Sequence, residues 1–160
     1  ILSGHLSVTE GSIQFYTDEK PLDIENVFQQ ISIATPYLEL IEEFTLKEIT
    51  DFHFKFKKAV NNLSTDEIIE IAELDKAKDK VFKYFSSGMK QRAKLAIAIM
   101  SDVQISLLDE PLSNLDKAAG TWYRKMVEEY LKSRLVVVCS NHHSEEYDFC
   151  EQVVNINDYK

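Results

Sequence analysis

An α/β fold, with a parallel sheet flanked by helices, is what this sequence predicts, and three observations carry the prediction. Short, mostly apolar runs at 105–108 (Ile-Ser-Leu-Leu), 135–139 (Leu-Val-Val-Val-Cys) and 153–156 (Val-Val-Asn-Ile) have the length of buried strands. Stretches of helical period separate them, with Ala93, Ala96, Ile97 and Met100 before the first run and Trp122, Tyr123, Met126, Val127 and Tyr130 before the second. Strand, helix, strand, helix, strand is the order of a parallel α/β unit, and 160 residues suffice for one core but not for two independent ones.

Taken from the N-terminus, Ile1-Leu2-Ser3-Gly4-His5-Leu6 reads as the last turn of a helix with Gly4 at a left-handed cap, so the chain is expected to begin inside an element. Thr9-Glu10-Gly11-Ser12 is a turn signal, and Ser12-Ile13-Gln14-Phe15-Tyr16 alternates as a half-buried strand does. Ile31-Ser32-Ile33-Ala34 is another short strand. From 38 to 81 the reading is helical: Thr45-Leu46-Lys47-Glu48 and Ser64-Thr65-Asp66-Glu67 are capping boxes, and a helix starts at each. Ile49, Phe52, Phe56, Ala59, Val60 and Leu63 fall on one helical face, which packs in the protein's own core or meets a partner. No internal repeat, low-complexity segment or linker divides the chain.

Composition narrows the partners. Lys plus Arg number 18 against 27 for Asp plus Glu, a formal net charge of −9, so nucleic acid is not expected as a partner. A local phosphate site is compatible with that charge, because backbone amides and a metal supply it. The 2 cysteines, Cys139 and Cys150, have no CxxC or disulfide-framework spacing and read as reduced thiols. No apolar run approaches the roughly 18 to 20 residues of a membrane-spanning helix.

The chemistry concentrates in 85–116. Phe85-Ser86-Ser87-Gly88-Met89-Lys90-Gln91-Arg92 is a Ser/Gly turn opening a helix, where amides and the positive end of the dipole face an anion. The strand at 105–108 ends in adjacent carboxylates, Asp109 and Glu110, at the sheet end where ligands collect, and a polar loop, Ser113-Asn114-Leu115-Asp116, follows. Each has a bland reading when taken singly. A small-residue turn is a routine N-cap, an Asp-Glu pair after a strand is a solvated loop, and His142-His143 is an adventitious metal site or nothing.

Together they resemble the nucleotide-binding domain of ABC (ATP-binding cassette) ATPases. Phe85 to Met89 is similar to the LSGGQ signature, with Ser87 and Met89 departing from Gly and Gln. Ile105 to Glu110 resembles Walker B with its catalytic glutamate, Ser113 to Asp116 resembles the D-loop, usually SALD, and His142 aligns with the switch histidine when Glu145-Glu146 sets the register. The motifs stand in family order at family spacing. The resemblance implies a P-loop NTPase-like sheet, a helical subdomain at 38–84 and the remnant of an antiparallel β-subdomain, within a single ABC ATPase domain over 1–160 that is N-terminally incomplete.

The same resemblance assigns roles. Asp109 would hold Mg²⁺, commonly through its water shell, Glu110 would orient or activate the attacking water, and His142 would bond the γ-phosphate. Ser86, Ser87, Gly88 and Met89 would contact ATP bound to the opposite subunit, with Gly88 where backbone approaches phosphate, and Asp116 would cross the same interface. None of the 4 glycines is followed by Lys, so the Walker A loop, GxxxxGK with Ser or Thr, is expected to precede this sequence, and Pro36 stands where a Q-loop glutamine would align. The function implied is the ATP-binding and ATP-hydrolysing subunit of an ABC transporter, on the cytoplasmic face of a membrane. Its partners would be a membrane-spanning permease and a second nucleotide-binding domain, as a homodimer or heterodimer. The chain alone is expected to be inactive. The alternative is a degenerate regulatory or structural module without ATPase activity, which the substitutions at Ser87, Met89 and Pro36 motivate.

Overall fold

A computed structural model describes residues 2–4, 6–17, 20–141 and 143–159, apart from the side chain of Thr17. Near the N-terminus, β1 (Phe15–Thr17) pairs antiparallel with β2 (Lys20–Leu22), Phe15 opposite Leu22. β1 is shorter than the strand predicted at 12–16, and β2 was hidden by Pro21, a residue that strands tolerate only at edges. Gly4 does adopt the left-handed φ of +74° foreseen for it, but no helix precedes it among the described residues. Ile1 and His5, part of that reading, lie outside them.

The core is a parallel sheet of β3 (Ile31–Ala34), β4 (Ile105–Asp109) and β5 (Leu135–Cys139) in the order β3-β4-β5. Ile31 sits opposite Ile105, and Ile105 opposite Leu135. β4 takes the centre, with Ser106 and Leu108 buried, and Ser32 Oγ donates to Ser106 Oγ at 3.2 Å so that neither hydroxyl is orphaned in the sheet. Parallel neighbours need crossovers, and the helices supply them.

α1 (Leu46–His53) and α2 (Thr65–Ile71) begin at the predicted capping boxes. Thr45 Oγ1 accepts the Glu48 amide at 3.2 Å and Glu48 returns to the Thr45 amide at 2.8 Å; Ser64 and Glu67 repeat the pattern at 3.3 and 2.8 Å. The continuous helical reading of 38–81 fails between and around them. α1 stops at His53, and Asn61 and Asn62 turn the chain with φ of 52° and 55°, a conformation asparagine tolerates better than most residues. The predicted face is therefore split. Ile49 and Val60 are buried, while Phe52 and Phe56 are 44% and 74% exposed and stack edge-on with centroids 5.2 Å apart.

α3 (Ser87–Met100) is buried on all sides from Ala93 to Met100, as a helix enclosed by sheet and helices must be. α4 (Lys117–Tyr130) buries Trp122, Tyr123, Met126 and Val127, as predicted. Trp122 Nε1 donates to Ile71 O at 2.8 Å, and the Arg92 guanidinium lies 4.9 Å from the Trp122 ring centre, which ties α2, α3 and α4 together. The strand predicted at 153–156 does not form. Among the described residues nothing pairs with the outer edge of β5, and Val153, Val154 and Ile156 are 70%, 64% and 70% exposed.

Candidate functional site

The carboxyl end of the sheet carries Asp109 and Glu110. Asp109 closes β4, and its Oδ2 accepts the hydroxyl of Thr35 at 3.0 Å, which joins the ends of β3 and β4. Lys94, buried in α3, donates to the carbonyls of Thr35 and Pro36 at 3.1 and 2.7 Å and so holds the loop beyond β3. Burial, and then Lys90, lower the pKa of that amine. Cys139 stands opposite Asp109 in the sheet register, and partial burial followed by the Asp109 charge pushes its thiol up, which keeps it a poor nucleophile.

Glu110 leaves the strand in the left-handed region, with φ of 41°. A non-glycine side chain there is uncommon, and such strain is held by surrounding structure. Its amide donates to Cys139 O at 2.8 Å, extending the ladder one residue past β4. Pro111 O then accepts Gln91 Nε2 at 3.1 Å, and the Leu112 amide donates to Glu146 Oε1 at 2.9 Å. Tight turns follow, from Ser113 N to Glu110 O at 2.9 Å and from Leu115 N to Leu112 O at 3.0 Å, with Asn114 at φ 62°. Asp116 caps α4, Oδ1 accepting the Ala119 amide at 2.8 Å, so its carboxylate already has a partner in this chain.

Ser86 caps α3 by accepting the Met89 amide at 3.2 Å, and Ser87 is exposed beside it. A Cβ on Gly88 would meet Asn114 O at 2.9 Å. The close approach that demands glycine is therefore to the 113–116 loop of the same chain, a reason for Gly88 that needs no ligand. Met89 is half-buried and packs against the core cluster. The helix opening thus abuts the loop after β4. His142 lies outside the described residues; its neighbour His143 is exposed.

The donor set at Asp109 suits a hard divalent cation held mainly by water and substrate oxygens. Mg²⁺ takes one or two carboxylates and keeps much of its hydration, and Asp109 with the Thr35 hydroxyl beside it offers that. Sequence reasoning missed Gln91, Lys94, Thr35 and Glu146. Only their burial or their partners mark them, apart from the appearance of polar residues inside the apolar run of α3.

Comparison with known proteins bears on this arrangement. A family model described as ABC transporter matches residues 1–113. An ATP-binding protein for Fe(3+) import from Fusobacterium nucleatum is 26% identical over 151 residues, covering 91% of this chain and 40% of its own length. An ABC transporter ATP-binding protein of Bacillus subtilis is 25% identical over 157 residues, covering 98% of this chain and 72% of its own. The chain thus spans well under half of the first of these relatives. A solved ATP-binding protein from Pyrococcus furiosus, described as a putative ABC transporter, superposes with a TM-score of 0.69 at 20% identity, over 89% of this chain and 70% of that one, a likeness of fold.

Proposed function

The chain belongs to the ABC transporter family, and from that premise we propose that it is the ATP-binding and ATP-hydrolysing part of a transporter, working with a membrane-spanning permease and a second nucleotide-binding domain. The carrying observation is Glu110, a carboxylate set in a left-handed bend directly after the Asp109 strand end. Phosphoryl transfer needs little covalent help from a protein; it needs charge placed around the phosphates and a water held in line. In this reading Glu110 orients that water, and Asp109 would hold Mg²⁺, which would supply charge neutralisation at the phosphates. His142 bonds the γ-phosphate. Ser86, Ser87 and Gly88 offer hydroxyl and amides at the start of α3 to nucleotide on the partner domain, and Asp116 lies at the same interface.

Docking to a permease, on the cytoplasmic face of a membrane, is the role proposed for the helical stretch 38–84. What supports it is a groove of about 230 Å³ whose lining includes Ile41, Phe52 and Phe56, apolar surface that the chain's own core leaves exposed. No helix among the described residues is long and apolar enough to cross a membrane.

ATPase measurement on the intact protein, wild type against Glu110→Gln, tests the reading. Loss of about a hundredfold or more in kcat is expected; equal rates would end the assignment of Glu110. Absence of any ATPase activity in the wild type would favour a regulatory module, a reading that the core-packed Met89 and the locally engaged Asp116 favour. The 160-residue polypeptide itself carries no glycine loop followed by Lys and should bind ATP weakly; micromolar magnesium-dependent binding would contradict that.

A further inference from the structure

We propose that Glu146 is a positioning residue for Glu110: its carboxylate locks the bend that carries Glu110 to the turn that follows β5. The inference rests on the role given to Glu110 above, whereas the lock itself is a property of the chain.

Glu146 is 1% exposed, too deep to touch nucleotide, and a carboxylate that deep persists only when its oxygens are hydrogen-bonded. Both are. Oε1 accepts the Leu112 amide at 2.9 Å, and Oε2 accepts the hydroxyl of Ser140. Ser140 Oγ in turn accepts the His143 amide at 3.3 Å, which ties Ser140 to His143. The backbone of Glu146 is fixed separately, because the buried Tyr123 hydroxyl donates to its carbonyl at 3.0 Å. Glu110 sits two residues before Leu112 with φ of 41°, a conformation that must be over-determined by its surroundings. Cys139 O holds its amide, Gln91 holds Pro111 O from α3, and Glu146 holds Leu112 from the opposite side. Of these ties, the Glu146 side chain is the one that also grips the turn beyond β5. A displacement of that turn therefore reaches the Glu110 bend through one rigid carboxylate, and the two loops that frame the proposed phosphate site move together.

Amide hydrogen exchange, read residue by residue in the full chain, tests the lock. Glu146→Ala should speed exchange at the Leu112 amide about tenfold or more relative to amides in α3, and Glu146→Gln, which keeps an acceptor oxygen, should restore most of the protection. Ser140→Ala is the sharper probe, since Ser140 does not touch Leu112; exchange at Leu112 should still rise several-fold. A uniform rise across the core would mark Glu146 as merely structural and overturn the proposal, as would unchanged exchange at Leu112 in Ser140→Ala. If Glu146→Ala does not fold, the other two variants decide. In the ATPase assay Ser140→Ala should lower kcat about tenfold with little change in KM; a change confined to KM would count against positioning. A wild-type protein without ATPase activity would sink the role of Glu110, while the exchange data would still judge the lock.

Discussion

The loop that leaves β4, from Glu110 to Asp116, and the tail at 151–159 both lie beyond apolar strands of one parallel sheet. In the loop, turn after turn is hydrogen-bonded to β5, α3, α4 or Glu146. In the tail, Asn155 bonds near neighbours, Asn157 through its side chain at 3.0 Å and Asp158 through its carbonyl at 3.0 Å, and the apolar residues face solvent. Their sequences promise something else, since 153–156 is as good a strand pattern as 105–108. The difference teaches that a β pattern states a capacity for burial and pairing, and that the partner strand decides whether it is used.

Stability measurements can break that comparison. Leu108→Ala, at a 1% exposed site in the central strand, should cost about 2–5 kcal/mol in chemical denaturation. A cost near zero would mean the sheet is not the core it resembles.

Acid should find the next weakness on the packed side. His53 Nε2 lies 2.8 Å from Ser101 Oγ, whose own proton goes to Ile97 O at 2.8 Å, so the imidazole donates from Nε2. Burial, and then the Lys57 charge, lower its pKa from 6.5 to about 4. As pH falls the unfolded chain takes the proton first, so this contribution is full above pH 6.5 and is lost as pH drops towards about 4. The loss is about 3 kcal/mol, and His53→Gln should flatten that part of the stability–pH curve.

Gly88→Ala sharpens the comparison at the site. Its methyl would press on Asn114 O from 2.9 Å, so about 1–3 kcal/mol should be lost, with faster amide exchange at Ser113 and Leu115. Val153→Ser, in the 70% exposed tail, should change stability by less than about 0.5 kcal/mol. A larger effect would show that the tail is packed in solution.

What was legible follows from how local each signal is. The helix starts at Thr45 and Ser64 are written within four-residue motifs whose partners are their own neighbours, and both appeared. β4, β5, α3 and α4 were readable from period and apolar length. The loops around Asp109, Glu110, Ser86 and Gly88 came from motif resemblance, which gives residue types and order but not contacts. Glu146 was visible only as half of an acidic pair, because its burial depends on Leu112 and Ser140, which reach it through the fold. Phe52 and Phe56 were misplaced on one continuous face because α1 stops at His53, between them.

Among the described residues β5 is the outermost strand with no partner on its far edge, and Leu135 at its start is 60% exposed. An unpaired backbone edge of that kind is adhesive to any extended chain, another copy included. In concentrated preparations the polypeptide should therefore clump sooner than its charge of −9 would suggest, and a lysine in place of Leu135 should delay the clouding.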